Sequence, residues 1–245
     1  MSAGRGRCPM PDGADVPTVK GMTDKTALIT GASRGLGLAL ATALAKDGWK
    51  LIINARGGAD LSKAAQGLGA IALAGDVADP WHRDALIGAV EDAGGLDLLV
   101  NNASALGAVP LQTLDAYPLE QLEHTFQVNT LAPLALIQGL LPFLRERRGA
   151  ILNISSDAAV EAYPTWGGYG ATKAALDQLS KVLAAEELAL SVWWVDPGEM
   201  RTRMLAEAMP GEDLSETPPP EDAAAALLRL LDTRAPSGRY RVADL

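Results

Sequence analysis

The chain has 245 residues, enough for one domain with a sizeable core. Its formal net charge is −9 and it has no basic run, so nothing supports a nucleic-acid partner or an anionic membrane surface. Apolar residues make up 48%, aromatics only 4%, and Gly and Ala are abundant, a balance suited to close helix-on-sheet packing rather than a β-sandwich.

Residues 1–22 are rich in Gly, Pro and Ala and lack the apolar core of a secretory signal. They are expected to form a disordered extension ahead of one domain over 23–245. Cys8 is the only cysteine, which excludes an intrachain disulfide and fits a cytoplasmic setting. His82 and His124 are not spaced as ligands, so no metal site is expected.

Lys25 to Thr30 has the pattern of a short buried strand and runs into Gly31-Ala-Ser33-Arg34-Gly35-Leu36-Gly37, then an Ala-rich helix to about Asp47. Strand, glycine-rich turn and helix form a phosphate-binding arrangement. Gly31 permits the turn, Gly35 lets backbone approach a pyrophosphate, and Gly37 lets helix and strand pack closely. A second strand, Lys50 to Asn54, follows at the distance of a right-handed βαβ unit. Where an NAD site usually has an acid that bonds the ribose, this chain has Asn54-Ala55-Arg56. Arg56 and Arg34 can pair with a 2′-phosphate instead, so the expected cofactor is NADP(H).

A helix over 61–68, a strand over 70–74 and a helix over 80–93 come next. Asp76-Val77 follows the third strand, at the ligand-facing carboxyl edge, where Asp76 either meets an adenine ring or opens the next helix. Leu96 to Val100 is the fourth strand, ending in Asn101-Asn102-Ala103-Ser104, a candidate cofactor wall. One long helix is expected over 119–144, and its apolar stretch from Leu131, short for a bilayer and holding Pro133 and Pro142, suits a buried core helix. Asn129 within it needs partners, so it either braces backbone or holds a water.

Strands over 150–154 and 191–195 flank a helix that opens near Tyr169. Tyr169 and Lys173 share a helix face, so the ammonium is expected to lower the phenol pKa and make it a proton donor and acceptor nearer neutrality. Asp196-Pro197-Gly198 turns the chain, and the polar, Met-bearing segment 199–220 suits a mobile lid or an ordinary loop. A helix over 220–231 and a short strand near 239–242 close the chain. The expected fold is α/β: a Rossmann-type doubly wound parallel sheet of about seven strands with helices on both faces.

Over about residues 24–245 the chain resembles the short-chain dehydrogenase/reductase family. Thr30-Gly31-Ala-Ser33-Arg34-Gly35-Leu36-Gly37 matches TGxxxGxG, Asn101-Asn102-Ala103 matches NNAG as far as its alanine, and Tyr169-Gly-Ala-Thr-Lys173 matches YxxxK. The family's catalytic Ser lies thirteen residues before its Tyr, which selects Ser156 over Ser155. The resemblance makes Asn129 the fourth catalytic residue, acting through a water, and has Lys173 bind the nicotinamide ribose. It extends the cofactor set to Ala55, Val77, Asn102, Ala103, Ser104 and, in the PG-x3-T segment, Pro197, Gly198, Met200 and Thr202.

The implied function is hydride transfer between NADPH and a small carbonyl or alcohol substrate. An NAD-dependent alcohol dehydrogenase of the same fold, or a catalytically silent NADP(H)-binding regulator, are the alternatives; the filled catalytic positions argue against the silent form. Two departures stand out: Ser104 replaces a Gly, and the C-terminal Gly-Gly ending is missing. The second favours a homodimer through the helices of Asn129 and Tyr169, with a tetramer still open.

Overall fold

The structure, a computed structural model, describes residue 1 and residues 25–245. Apart from residue 1, the expected extension over 1–22, with Cys8, lies outside the described residues. The first half comprises β1 (Thr26–Ile29), α1 (Gly35–Lys46), β2 (Lys50–Ala55), α2 (Gly58–Leu68), β3 (Ile71–Ala74) and α3 (Pro80–Asp92). The second comprises β4 (Leu98–Asn101), α4 (Leu119–Phe126), α5 (Ala132–Arg147), β5 (Ala150–Ile154), α6 (Gly167–Glu186), β6 (Ser191–Asp196), α7 (Arg203–Ala208), α8 (Pro220–Thr233) and β7 (Gly238–Arg241).

The seven strands form one parallel sheet in the order β3-β2-β1-β4-β5-β6-β7. Side chains alternate across a strand, so each strand feeds two cores. Ala27, Ile29, Leu98, Val100, Leu152 and Trp193 point to one face, where Leu40 and Leu44 of α1 and Leu227 of α8 cover them. Leu28, Ile52, Leu99, Ile151 and Val192 point to the other, under Leu86 and Val90 of α3 and Leu136 and Leu140 of α5. The buried Trp193 indole donates to Ala235 O at 3.0 Å, which meets the polar demand of an otherwise apolar site.

The expected long helix is present over Leu119–Arg147 but is interrupted by a π-helical turn at Gln127–Leu131. Pro133 has no N–H to offer the Asn129 carbonyl four residues earlier, and the helix widens there instead of breaking. By length and apolar content this run could cross a bilayer, but half of its most apolar window is buried within the fold. The segment expected as lid or loop carries a helix of its own, α7, capped by Thr202, whose hydroxyl accepts from Leu205 N.

Candidate active site

β1 and β4 are neighbours, while the chain after β1 turns to the opposite side, towards β2; the carboxyl ends of β1 and β4 therefore border a crevice. A cleft of about 960 Å3 opens there. Gly31 (φ +67°) and Gly35 (φ +56°) sit in the left-handed region and carry the turn after β1. Arg34 occupies the N-cap of α1 in extended conformation and, among the described residues, no side chain caps the first turn, which leaves its N–H groups to an anion. Gly31, Ser33, Arg34, Gly35 and Leu36 all line the cleft.

The turn is stitched to β4. The Thr30 hydroxyl accepts from Asn102 N and Ala103 N, both at 3.0 Å, while Asn102 Nδ2 donates to Thr30 O at 2.8 Å and Gly31 O at 3.1 Å. Gly37 lies behind the cleft wall; a Cβ there would stand 2.5 Å from both Asn102 Nδ2 and Gly31 O. Its role is the close packing expected of it.

Ala55, Arg56 and Val77 line the far end of the cleft, together with two residues the sequence reading passed over, Asn54 and Asp60. Asn54 is held by three contacts: Nδ2 donates to Leu73 O and Gly75 O at 3.2 and 3.0 Å, and lies 2.7 Å from His82 Nε2. Asp76 does not line the cleft. Its carboxylate accepts from Ala78 N at 2.9 Å, which folds the turn before α3.

Asn102, Ala103, Ser104, Pro197, Gly198, Met200 and Thr202 line the near end with Ser156, Tyr169 and Lys173. The two serines after β5 diverge. Ser155 is turned inward and donates to Asp177. Ser156 donates to Asp157 Oδ1 at 2.9 Å, and its oxygen also interacts with the Tyr169 phenol. Leu106, Ala158, Trp166, Met204 and Ala208 pack around Tyr169, whose ring meets Trp166 edge-on at 5.7 Å.

Tyr169 and Lys173 do share a face of α6, but the expected electrostatic consequence is corrected by the structure. The ammonium stands 5.6 Å from the phenol ring centroid and donates to Ile154 O at 2.8 Å. Burial pushes the phenol up to about 12; the Ser104 and Ser156 hydroxyls oppose this, and the Asp157 and Asp196 carboxylates add to it. Burial pushes Lys173 down to about 8, opposed by Asp177. Helical spacing fixes the shared face and leaves open which atom of the tyrosine the lysine meets.

Asn129 is buried behind the cleft wall, and its side chain is fully engaged by protein. Nδ2 donates to Ala105 O and Thr172 Oγ1 at 2.9 and 3.0 Å, and Oδ1 accepts from Ala105 N at 2.8 Å and Ser104 Oγ at 3.2 Å. These contacts provide the backbone bracing that was one of the two roles open to it. Ser104, expected in the cofactor wall, contacts both Asn129 and Tyr169, which the sequence did not signal.

Comparisons with known proteins agree with this architecture. The profile of the short chain dehydrogenase family matches residues 25–213. An uncharacterized oxidoreductase of Methylorubrum extorquens is 38% identical over 169 residues, 66% of this chain and just under two thirds, 66%, of that protein's length. Galactitol 2-dehydrogenase of Agrobacterium fabrum is 36% identical over 186 residues, 72% of this chain and 71% of the relative. L-Sorbose reductase of Gluconobacter frateurii, solved with NADPH and L-sorbose, superposes with a TM-score of 0.79 at 30% identity, covering 91% of this chain and 95% of that one. The family match over residues 25–213 and the identity to these relatives place the chain in the short-chain dehydrogenase family of oxidoreductases.

Proposed function

We propose that this chain is an NADP(H)-dependent oxidoreductase that interconverts a ketone or aldehyde with its alcohol. The observation that carries the reading is the convergence of Ser156, Tyr169 and Lys173 at one end of a cleft whose other end offers an uncapped helix N-terminus, Arg34 and Arg56. The NADPH in the solved L-sorbose reductase is consistent with the choice of cofactor. Cytoplasmic location and a homodimer, with a tetramer as alternative, belong to the same proposal.

The residues present fit a dinucleotide. The α1 N-terminus and the glycine turn would take the pyrophosphate, Arg34 and Arg56 the 2′-phosphate, and Asn102 to Ser104 with Pro197 to Thr202 the nicotinamide half. Bound NADPH supplies the hydride.

Ser156 turns its hydroxyl from Asp157 to the substrate oxygen and holds it as negative charge develops there. Tyr169 donates its proton to that oxygen. With its pKa pushed up to about 12, the phenol is protonated at neutral pH and available as the proton donor for reduction. Lys173 contributes a buried positive charge beside the ring, and Asn129 fixes the Ser104-Ala105 wall against α6. The apolar wall of Leu106, Trp166, Met204 and Ala208 excludes water and accommodates an apolar substituent on the carbonyl carbon.

The test is NADPH oxidation over a panel of ketones and aldehydes by the wild type and Tyr169→Phe. The variant should keep NADPH affinity and lose turnover by about 100-fold or more. Near-normal turnover by Tyr169→Phe would sink the assignment, as would a wild type that binds NADPH tightly and reduces nothing.

A further inference from the structure

The sequence motifs account for Ser156, Tyr169 and Lys173 but not for what holds them in register. Tyr169, Lys173 and Asp177 follow one another at four-residue intervals along one face of α6. Asp177 is largely buried, and its two oxygens are both used: Oδ1 accepts from the Ser155 hydroxyl and Oδ2 from Arg239 Nε at 3.0 Å. Arg239 stands on β7, paired with Trp194 of β6, and its neighbour Tyr240 packs into the opposite core, so alternation turns Arg239 towards α6. Its other guanidinium arm, Nη2, donates to Ser156 O at 2.9 Å.

Three consecutive residues at the end of β5 are thus each gripped by a charged side chain. Lys173 holds Ile154 O, Asp177 holds the Ser155 hydroxyl, and Arg239 holds Ser156 O. None of the three contacts uses the Ser156 hydroxyl, which is engaged by Asp157 and Ala158 N and interacts with Tyr169.

We propose that Asp177 and Arg239 are positioning residues of the catalytic centre: Arg239 clamps Asp177 to the Ser156 backbone, so that β7 sets the place of the Ser156 hydroxyl and Asp177 supplies the counter-charge of the Lys173 ammonium. This rests on the oxidoreductase reading above. Because the clamp is an ion pair, its members act on Lys173 with opposite sign. The other charged groups near the centre are Asp157 after β5 and Asp196 at the end of β6, both acting on Tyr169 from the cleft side. Asp177 is the carboxylate that acts on Lys173, whose pKa lies at about 8, inside the range an enzyme assay covers.

The test is the pH profile of kcat, with NADPH affinity measured by fluorescence, for wild type, Asp177→Asn, Arg239→Gln and Arg239→Lys. Loss of the carboxylate lets Lys173 lose its proton at lower pH, so the alkaline limb of Asp177→Asn should move down by about one pH unit. Arg239→Gln leaves the carboxylate to Lys173 alone, so its limb should move up. Both should lower kcat about tenfold or more through the displaced Ser156, with NADPH affinity within about twofold of wild type. Arg239→Lys keeps the charge and loses the two-armed grip; it should lower kcat with the limb in place.

A merely structural pair would lower kcat without opposite displacements of the limb. Parallel or absent displacements, with an active wild type, overturn the proposal and leave the oxidoreductase reading intact. An inactive wild type overturns that reading instead. Carbon-13 NMR titration of lysine-labelled wild type and Arg239→Gln then tests the clamp: an upward move of Lys173 supports it and an unmoved Lys173 overturns it. Should Asp177→Asn not fold, the two Arg239 variants decide the question in the same way.

Discussion

Replacing Lys173 by Met should make the protein more stable near neutral pH while destroying its chemistry. The ammonium is buried, and a fall in its pKa from 10.5 to about 8 means that folding costs the charged group about 3 kcal/mol. Met fills a similar volume without that cost, and Asp177 keeps Ser155 and Arg239 as partners, so no orphaned carboxylate is created. The lost hydrogen bond from the charged ammonium to Ile154 O offsets about 1.5–3 kcal/mol. The net gain is about 0–1.5 kcal/mol, seen as a rise in Tm of up to about 6 °C.

The pH dependence sharpens this test. Because the folded pKa of Lys173 is depressed, the unfolded chain binds its proton above about pH 8 and the native state does not, so wild-type stability rises from there to about pH 10.5. The Met variant lacks this rise. Between about pH 7 and pH 10 its advantage should shrink by about 2.5 kcal/mol and reverse. Urea unfolding of both proteins at the two pH values measures the difference, with all other titrating groups common to both. A variant less stable than wild type at pH 7, or a gap that does not move with pH, refutes the argument that Lys173 is held as a costly buried charge.

Arg56→Ala should lower the preference for NADPH over NADH by about 10-fold or more, since a charge-assisted contact to phosphate is removed and nothing is added for the ribose hydroxyl; an unchanged ratio in steady-state assays would assign the 2′-phosphate elsewhere. Gly37→Ala drives a methyl within 2.5 Å of Asn102 Nδ2 and Gly31 O, so thermal melts should show a loss of about 1–3 kcal/mol, and NADPH titration should show weaker binding because the glycine turn moves with Asn102. The adjacent serines should separate: Ser156→Ala loses about 100-fold in kcat, whereas Ser155→Ala costs about 1–2 kcal/mol of stability and less than tenfold in kcat. Equal kinetic losses at both positions would contradict the inward and outward orientations seen here.

The strands were legible because the relevant signals are local. Apolar runs such as Ala27 to Ile29 and Leu98 to Val100 are short and bounded by turns, and the glycine turn leads straight into α1. The π-turn at Asn129 was legible only in part, since Pro133 marks a missing N–H without saying whether a helix kinks, ends or widens. α7 was missed because six residues between polar loops show too little periodicity. The contacts of Asp177 were beyond reach: its partners lie 22 and 62 residues away, and an Asp on a helix four residues past a Lys is indistinguishable from a surface pair until β7 is docked.

The same long-range placement explains why the site stands where it does. Thr30, Asn129, Ser155, Thr172, Lys173 and Asp177 are all buried and polar. Buried polar groups cost stability unless partnered, and these are partnered almost entirely by one another and by strand-end backbone: Thr30 with Asn102, Asn129 with Thr172, Lys173 with Ile154, Asp177 with Ser155 and Arg239. Such a network needs backbone groups that the sheet ladder does not consume, and these occur where strands end. The carboxyl ends of β1, β4 and β5 are adjacent and face the crevice, so they are the one place in this sheet where a reactive phenol, a buried ammonium and a phosphate-binding turn can share support. A substitution that frees one of these polar groups therefore acts on the whole set, which is why the Asp177 and Arg239 variants are expected to register at Lys173 and Ser156 and not only in overall stability.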